Sequence, residues 1–201
     1  MQIAALVLAA GRSRRFGPGN KLLADLEGTP VLAHTLAAVS AAGFDRTLVV
    51  TGQDHAALTN ALQRFRVQIV SCADDGEGMG TSIAAGVAVL SPDIDGVAII
   101  PGDMPLLTPH TLQTLLQTFA AHAGSSIVYA ADRDGAQRNP VFWPRSYMPQ
   151  LAALKGERGA KSLIGEAIAV RISDANELLD VDDPSDLVKA CNIIHARHAQ
   201  S

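Results

Sequence analysis

The sequence predicts a doubly wound α/β fold: a mostly parallel sheet with helices on both faces and one antiparallel strand. Three observations predict it. Apolar strand-like runs alternate with helix-period stretches as β-α-β-α-β through residue 71, the rhythm of parallel strands joined by crossover helices. Hydrophobic residues make up 48% of the chain but aromatics only 4%, so the core is aliphatic, as suits a sheet buried on both faces. The first strand feeds directly into a polar loop rich in glycine and cations, which makes the architecture Rossmann-like. At 201 residues, a single domain over 1–201 is expected.

The elements follow in order. Residues 3–8 are an apolar run that stops at Gly11. Pro30 suits the first turn of a helix over 31–42, in which Leu32, Leu36 and Val39 share a face and Gly43 is the stop. A strand over 46–51 ends at Gly52, Asp54 is placed to cap a helix to about 64, and a short strand spans 67–71. Gly76, Gly78 and Gly80 lead into a helix over 83–90, and 96–100 is the fourth buried strand. Thr108 and Pro109 open a helix to about 121 with Leu112, Leu115, Leu116 and Phe119 inward. Residues 126–130 and 138–143 flank an Asp132-Arg133-Asp134-Gly135 turn and supply the antiparallel piece, with Trp143 in a packing role. A short helix over 162–167, a strand over 169–172 and a final helix capped by Asp183 complete the chain. Asp180 and Asp182 are expected on opposite sides of an extended segment.

Chemistry-bearing residues concentrate in few places. Arg12, Arg14, Arg15 and Lys21 put four of sixteen Lys+Arg into ten residues of a protein with net charge −4. Positive charge gathered on one glycine loop of an acidic protein points to a local anionic ligand, since backbone amides and cations together cradle a phosphate. The overall acidity argues against nucleic acid as partner. The loop matches neither G-x-x-x-x-G-K-[ST] nor G-x-G-x-x-G: Leu22 follows the lysine, and Ser13 stands where a second glycine would be. Asp103, in Gly102-Asp103-Met104-Pro105, follows a buried strand, where an open α/β sheet has its ligand crevice, and no structural task is evident for it. Cys72 and Cys191 read as isolated reduced thiols, and the six histidines as surface or helix residues outside any motif. No apolar run reaches eighteen residues, and the N-terminal stretch lacks a basic leader. The expectation is therefore a cytoplasmic protein with no membrane span.

The set Leu8, Ala9, Ala10, Gly11, Ser13, Arg15, Phe16, Gly17 and Lys21 resembles the signature of the MobA-like nucleotidyltransferases, L-A-[AG]-G-x-S-x-R-[MF]-G followed by lysine. Lys21 comes one residue later than is usual, and Gly19 absorbs the extra residue. The Ala-Ala-Gly form is similar to the molybdenum-cofactor cytidylyltransferases, where GTP-using relatives carry Ala-Gly-Gly. The resemblance runs from residue 3 to about 187 and implies a nucleotide-diphospho-sugar-transferase-like fold.

It further implies Lys21 and Arg15, with Arg12, on a triphosphate; Asp103 and Asp182 on Mg²⁺; and Leu8, Ala9, Ala10, Gly11, Ser13, Gly80 and Ser82 around the nucleotide. Asn139 falls on the acceptor side. Residues 155–161 are read equally as part of the acceptor pocket or as a solvated loop. The implied reaction moves CMP from CTP to the phosphate of the molybdenum cofactor, with an apo-molybdoenzyme of the xanthine dehydrogenase type as possible recipient. The same chemistry with GTP or another acceptor, and a carrier that binds the dinucleotide without turnover, are the alternatives. The chain has no recognisable Ser-His-Asp or Cys-His arrangement, and a phosphate acceptor needs none: its second pKa is near 6, so it is already a dianion at neutral pH.

Overall fold

The computed structural model describes residues 1–11, 13, 15–17, 19–72 and 78–199. Arg12 and Arg14 of the first loop and residues 73–77 of the second lie outside the described residues. At the centre, β1 (Ile3–Ala9) pairs in parallel with β4 (Arg46–Thr51) on one side and β6 (Gly96–Pro101) on the other. β5 (Gln68–Ser71) extends the sheet beyond β4, also in parallel. Beyond β6 come β8 (Gln137–Pro144), antiparallel to its neighbours, then β7 (Ile127–Ala131), then β9 (Ala167–Arg171), parallel to β7. The spatial order is β5-β4-β1-β6-β8-β7-β9. The antiparallel strand expected from the sequence is therefore inserted into the sheet. β2 (Asp25–Leu26) and β3 (Thr29–Pro30) form a separate small hairpin that the sequence reading did not foresee. Its two central residues, Glu27 and Gly28, both have positive φ, the geometry of a two-residue turn.

Strand alternation sorts β1 between two layers. Ile3, Ala5, Val7 and Ala9 join a core with α1 (Val31–Ala42), α2 (His55–Leu62) and α4 (Pro109–Ala121). Ala4, Leu6 and Ala10 join the opposite core, with α3 (Met79–Ala88) and α5 (Met148–Ala152). Leu112, Leu115 and Phe119 of α4 are fully buried, each worth about 1.5–3 kcal/mol in transfer free energy. A third, smaller cluster sets α6 (Pro184–His198) against the hairpin and the chain after β6, through Leu26, Val31, Leu106, Val181 and Ala190.

Several local expectations are corrected. α3 starts at Met79, so Gly80 and Ser82 belong to a helix's first turn and not to a loop before it. The helix expected over 162–167 is a 3-10 turn, Ala160–Leu163; Ile164 is extended, and Ala167 already belongs to β9. Asp54 holds the N-cap position of α2 but makes no cap bond, because its carboxylate accepts from Asn20 Nδ2 at 2.8 Å. Thr108 does cap α4, accepting from the Thr111 amide at 3.2 Å. Among the described residues no helix is long and apolar enough to cross a membrane.

Candidate active site

The sequence of connections reverses at β1: the chain runs outward through β4 and β5, then returns to place β6 on the other side. Such a switch point opens a crevice at the carboxyl ends of the two central strands. A cavity of about 370 Å³ lies there. Leu8, Ala10, Gly11, Ser13, Arg15, Lys21, Ser82, Asp103 and Asp182, all singled out from the sequence, line it. Ala9 does not, because alternation turns it into the α1 layer. Gly80 also lies off the lining, and its lack of a side chain has a packing reason. A Cβ there would stand 2.6 Å from the Arg158 carbonyl oxygen, and the Gly80 amide donates to the Gly156 carbonyl at 2.9 Å.

Asn139 is likewise off the lining. The β6–β8 register, carried two residues past the Ile99–Val141 pair, puts it beside Pro101, which does line the cavity. The 155–161 loop, left open from the sequence, docks on the start of α3 and brings Glu157 to the cleft. Gly78, where φ is +97° and a Cβ would collide with the Glu157 backbone at 2.5 Å, makes that approach feasible. Met79, a half-exposed apolar side chain on the lining, was missed because a methionine after glycines carries no sequence signal.

Each charged group is placed by its local chain. Asn20 caps the 3-10 turn Lys21–Leu23 by accepting from the Leu22 amide at 2.9 Å. Ser13 Oγ accepts from the Lys21 amide at 3.1 Å, so loop and turn hold each other. Gly19, at φ +112°, takes up the additional residue between Gly17 and the lysine. On the other wall, the Gly102 amide donates to the Leu8 carbonyl at 2.9 Å, and the buried Thr35 hydroxyl donates to the Gly102 carbonyl at 3.0 Å. The Asp103 carbonyl accepts from the Val181 amide at 2.9 Å, which pins the C-terminal segment to the end of β6.

Asp183 forms a capping box with Asp186 at the start of α6, as the sequence suggested, and so the neighbouring Asp182 carboxylate is left to face the cleft. Asp180 and Asp182 do not diverge as expected. Residues two apart in an extended segment share a side, and here the residue between them, Val181, is buried in the third cluster.

The result is one cation shared by two carboxylates. Lys21 Nζ pairs with Asp103 Oδ2 and, at 3.0 Å, with Asp182 Oδ1. Arg15 reaches Asp182 Oδ2 at 3.1 Å from a largely solvated position. Burial by itself would lower the Lys21 pKa, but the Asp103 carboxylate, seconded by Asp182, outweighs it and holds the ammonium above its ordinary value. Asp180, at the solvent edge, is pushed up to about 7, first by the protein packed around it and then by the negative charges of Asp103 and Asp182. Asp103 Oδ1 is buried and has no hydrogen-bond partner. An orphaned carboxylate oxygen on Asp103, with the Asp182 carboxylate on the other side of the same lysine, is donor chemistry that suits a hard divalent cation.

A cationic strand–loop, a switch-point cleft and paired carboxylates define a nucleotidyltransferase built on the nucleotide-diphospho-sugar transferase fold. Comparison with known proteins agrees. Residues 5–172 match the family described as MobA-like NTP transferase domain. The purine catabolism protein PucB of Bacillus subtilis is 31% identical over 89% of this chain and 91% of its own. A 2-C-methyl-D-erythritol 4-phosphate cytidylyltransferase of Pelotomaculum thermopropionicum is 25% identical over 99% of this chain and 97% of its own. Among solved structures, Rv0371c of Mycobacterium tuberculosis in complex with manganese superposes with a TM-score of 0.78 at 27% identity, covering 96% of this chain and 99% of that one. The chain belongs to the MobA-like NTP transferase family.

Proposed function

We propose that this nucleotidyltransferase transfers CMP from CTP to the phosphate of the molybdenum cofactor and releases pyrophosphate. The observation that carries the reading is Lys21, held between Asp103 and Asp182 on the floor of a cleft walled by Ala10. Lys21 and Arg15 bind the triphosphate and stay with the departing pyrophosphate. Asp103 and Asp182 would hold Mg²⁺ or Mn²⁺, with Asp103 Oδ1 as the waiting ligand; the mycobacterial relative is a complex with manganese. When bound, the ion supplies charge neutralisation at the transferring phosphoryl group.

An acceptor phosphate oxygen attacks the α-phosphorus, and the bond to the β-phosphate oxygen breaks, taking its electron pair to pyrophosphate. The acceptor is a dianion, so no proton has to be removed. Accordingly, no histidine or cysteine stands among the described residues that line the cleft. Positioning and electrostatics are then the whole of the protein's task.

Ala10 supports the pyrimidine. Its methyl narrows one wall of the base pocket, and Ser82 and nearby amides hydrogen-bond the smaller edge. The cytidylyltransferase among the relatives is in keeping with this. The Bacillus relative's description as a purine catabolism protein accords with a client that oxidises a purine, as a xanthine dehydrogenase does. The test is kcat/KM for CTP, GTP, UTP and ATP with the molybdenum cofactor and Mg²⁺, read as pyrophosphate release. CTP should lead GTP by about tenfold or more, the scale of a steric pocket difference. Equal use of CTP and GTP would remove the cytidylyl assignment. Tight cofactor binding with no pyrophosphate from any nucleotide would replace the enzyme with a carrier.

A further inference from the structure

A second cluster of metal-ligating groups stands away from the cleft, where the hairpin meets α6. Glu27, at the tip of the β2–β3 turn, accepts at Oε1 from Cys191 Sγ at 2.8 Å and lies 2.9 Å from His195 Nε2. Cys191 and His195 are i and i+4 on α6, hence on one face of the helix. The three ligand atoms lie within 4.8 Å of one another. His198, on the same stretch of helix, is near enough for its charge to act on Glu27. The apolar cluster beneath, which includes Leu26, Ala190 and the flank of Cys191, fixes helix and hairpin against each other. The donors therefore converge from two elements already held in register.

We infer that Glu27, Cys191 and His195 form a binding site for a borderline-soft divalent cation, Zn²⁺ above all, that clamps α6 to the hairpin. The donor chemistry decides the metal. One thiolate, one imidazole and one carboxylate match the ligand set of zinc, and thiolate disfavours Mg²⁺ and Mn²⁺. Three protein ligands leave a fourth tetrahedral position for water or His198. On binding, the proton that Cys191 now shares with Glu27 leaves to solvent, and the thiolate takes its place on the metal.

The location gives the site a task. The hairpin begins at Asp25, shortly after Lys21, and α6 begins at Pro184, shortly after Asp182. A clamp between them fixes the two segments that deliver those side chains to the cleft.

The experiment uses the full chain with Zn²⁺ or Co²⁺ alone, without nucleotide. The near-ultraviolet thiolate-to-cobalt charge-transfer absorption should appear and saturate at one Co²⁺ per Cys191 site, whatever further Co²⁺ the cleft takes. Zn²⁺ should displace it and raise Tm. Cys191→Ser should abolish the band and the Tm rise and weaken Zn²⁺ binding about 100-fold, while His195→Ala should weaken it at least tenfold. Asp103→Ala should leave band and affinity unchanged, which separates this site from the cleft. A band that survives in Cys191→Ser would assign the signal to Cys72 and overturn the proposal. So would undiminished Zn²⁺ affinity in that variant, or the absence of any charge-transfer band in the wild type.

Discussion

The floor and the rim of the cleft carry similar charged groups in different surroundings. On the floor, the side chains of Lys21 and Asp103 are 13% and 15% exposed; at the rim, those of Arg15 and Asp182 are 77% and 39% exposed. A charge pair gains as water is excluded from it and is screened where water has access. The floor pair is therefore both the stronger interaction and the more costly one to break. The rim groups are adjustable. The difference teaches that residue type alone does not rank the members of a charged cluster, because Arg15 and Lys21 contact the same Asp182 and are not equivalent.

Five substitutions probe that ranking and the cleft around it. Asp103→Ala should have the largest effect, a loss of about 10³-fold or more in turnover with the fold retained by circular dichroism, because it removes the carboxylate with the waiting oxygen. Near-normal activity in the folded variant would take Asp103 out of the mechanism.

Lys21→Ala should cost about 10²- to 10³-fold in rate, and Arg15→Ala about tenfold at most. Without Lys21 the metal-free protein should lose about 2 kcal/mol, less than a fully buried pair would, and Mn²⁺ should bind more tightly and restore Tm. A crippled Arg15→Ala beside a mild Lys21→Ala would invert the floor–rim order.

Ala10→Gly should relax the CTP:GTP ratio by about 1–3 kcal/mol at most, leaving some preference for CTP, since steric fit is only part of base discrimination. An unchanged ratio would show that the methyl does not meet the base.

The smallest effect should come from Asp180→Asn, and it concerns pH. The Asp180 carboxyl titrates near 7 in the folded protein against 3.8 ordinarily. The folded state therefore binds the extra proton between about pH 4 and 7, and the metal-free protein loses stability as pH rises through that window. The Asn variant should lack this slope and be more stable at pH 8 by up to about 1 kcal/mol, a limit set by solvent at the rim. That is about 2–4 °C in Tm for a chain of this size. Saturating Mn²⁺ should erase the advantage. An Asn variant no more stable than wild type at pH 8 would mean that Asp180 carries no repulsion.

The first loop was legible because strand, glycines and cations coincide within a few residues, and Asp103 because it ends a plainly apolar strand. The parallel half of the sheet was legible for the same reason: its strands are short aliphatic runs punctuated by glycine. What failed was contact made at a distance. Asp54 looks like a cap until Asn20, 34 positions away, claims its carboxylate. Glycine spacing around Gly80 suggested a ligand loop, whereas a loop 76 residues on takes up the missing Cβ. Asp180 was misjudged through a wrong inference about alternation, although Val181, an apolar residue between two acids, carried the correct signal. Cys191 and His195 were passed over because their partner, Glu27, lies 164 positions from the cysteine.

The contact between Lys21 and Asp182 spans 161 positions of sequence. Chains are made from the N-terminus at about 5–20 residues per second, so on the order of 10 s separates the synthesis of the two residues. During that interval a nascent chain can lay down β1, β4, β5 and β6 and join Lys21 to Asp103, but it lacks the second carboxylate. The ribosome therefore delivers the Asp182 carboxylate long after Lys21 and Asp103, and prematurely terminated chains that stop before residue 182 lack the full acidic set of the cleft.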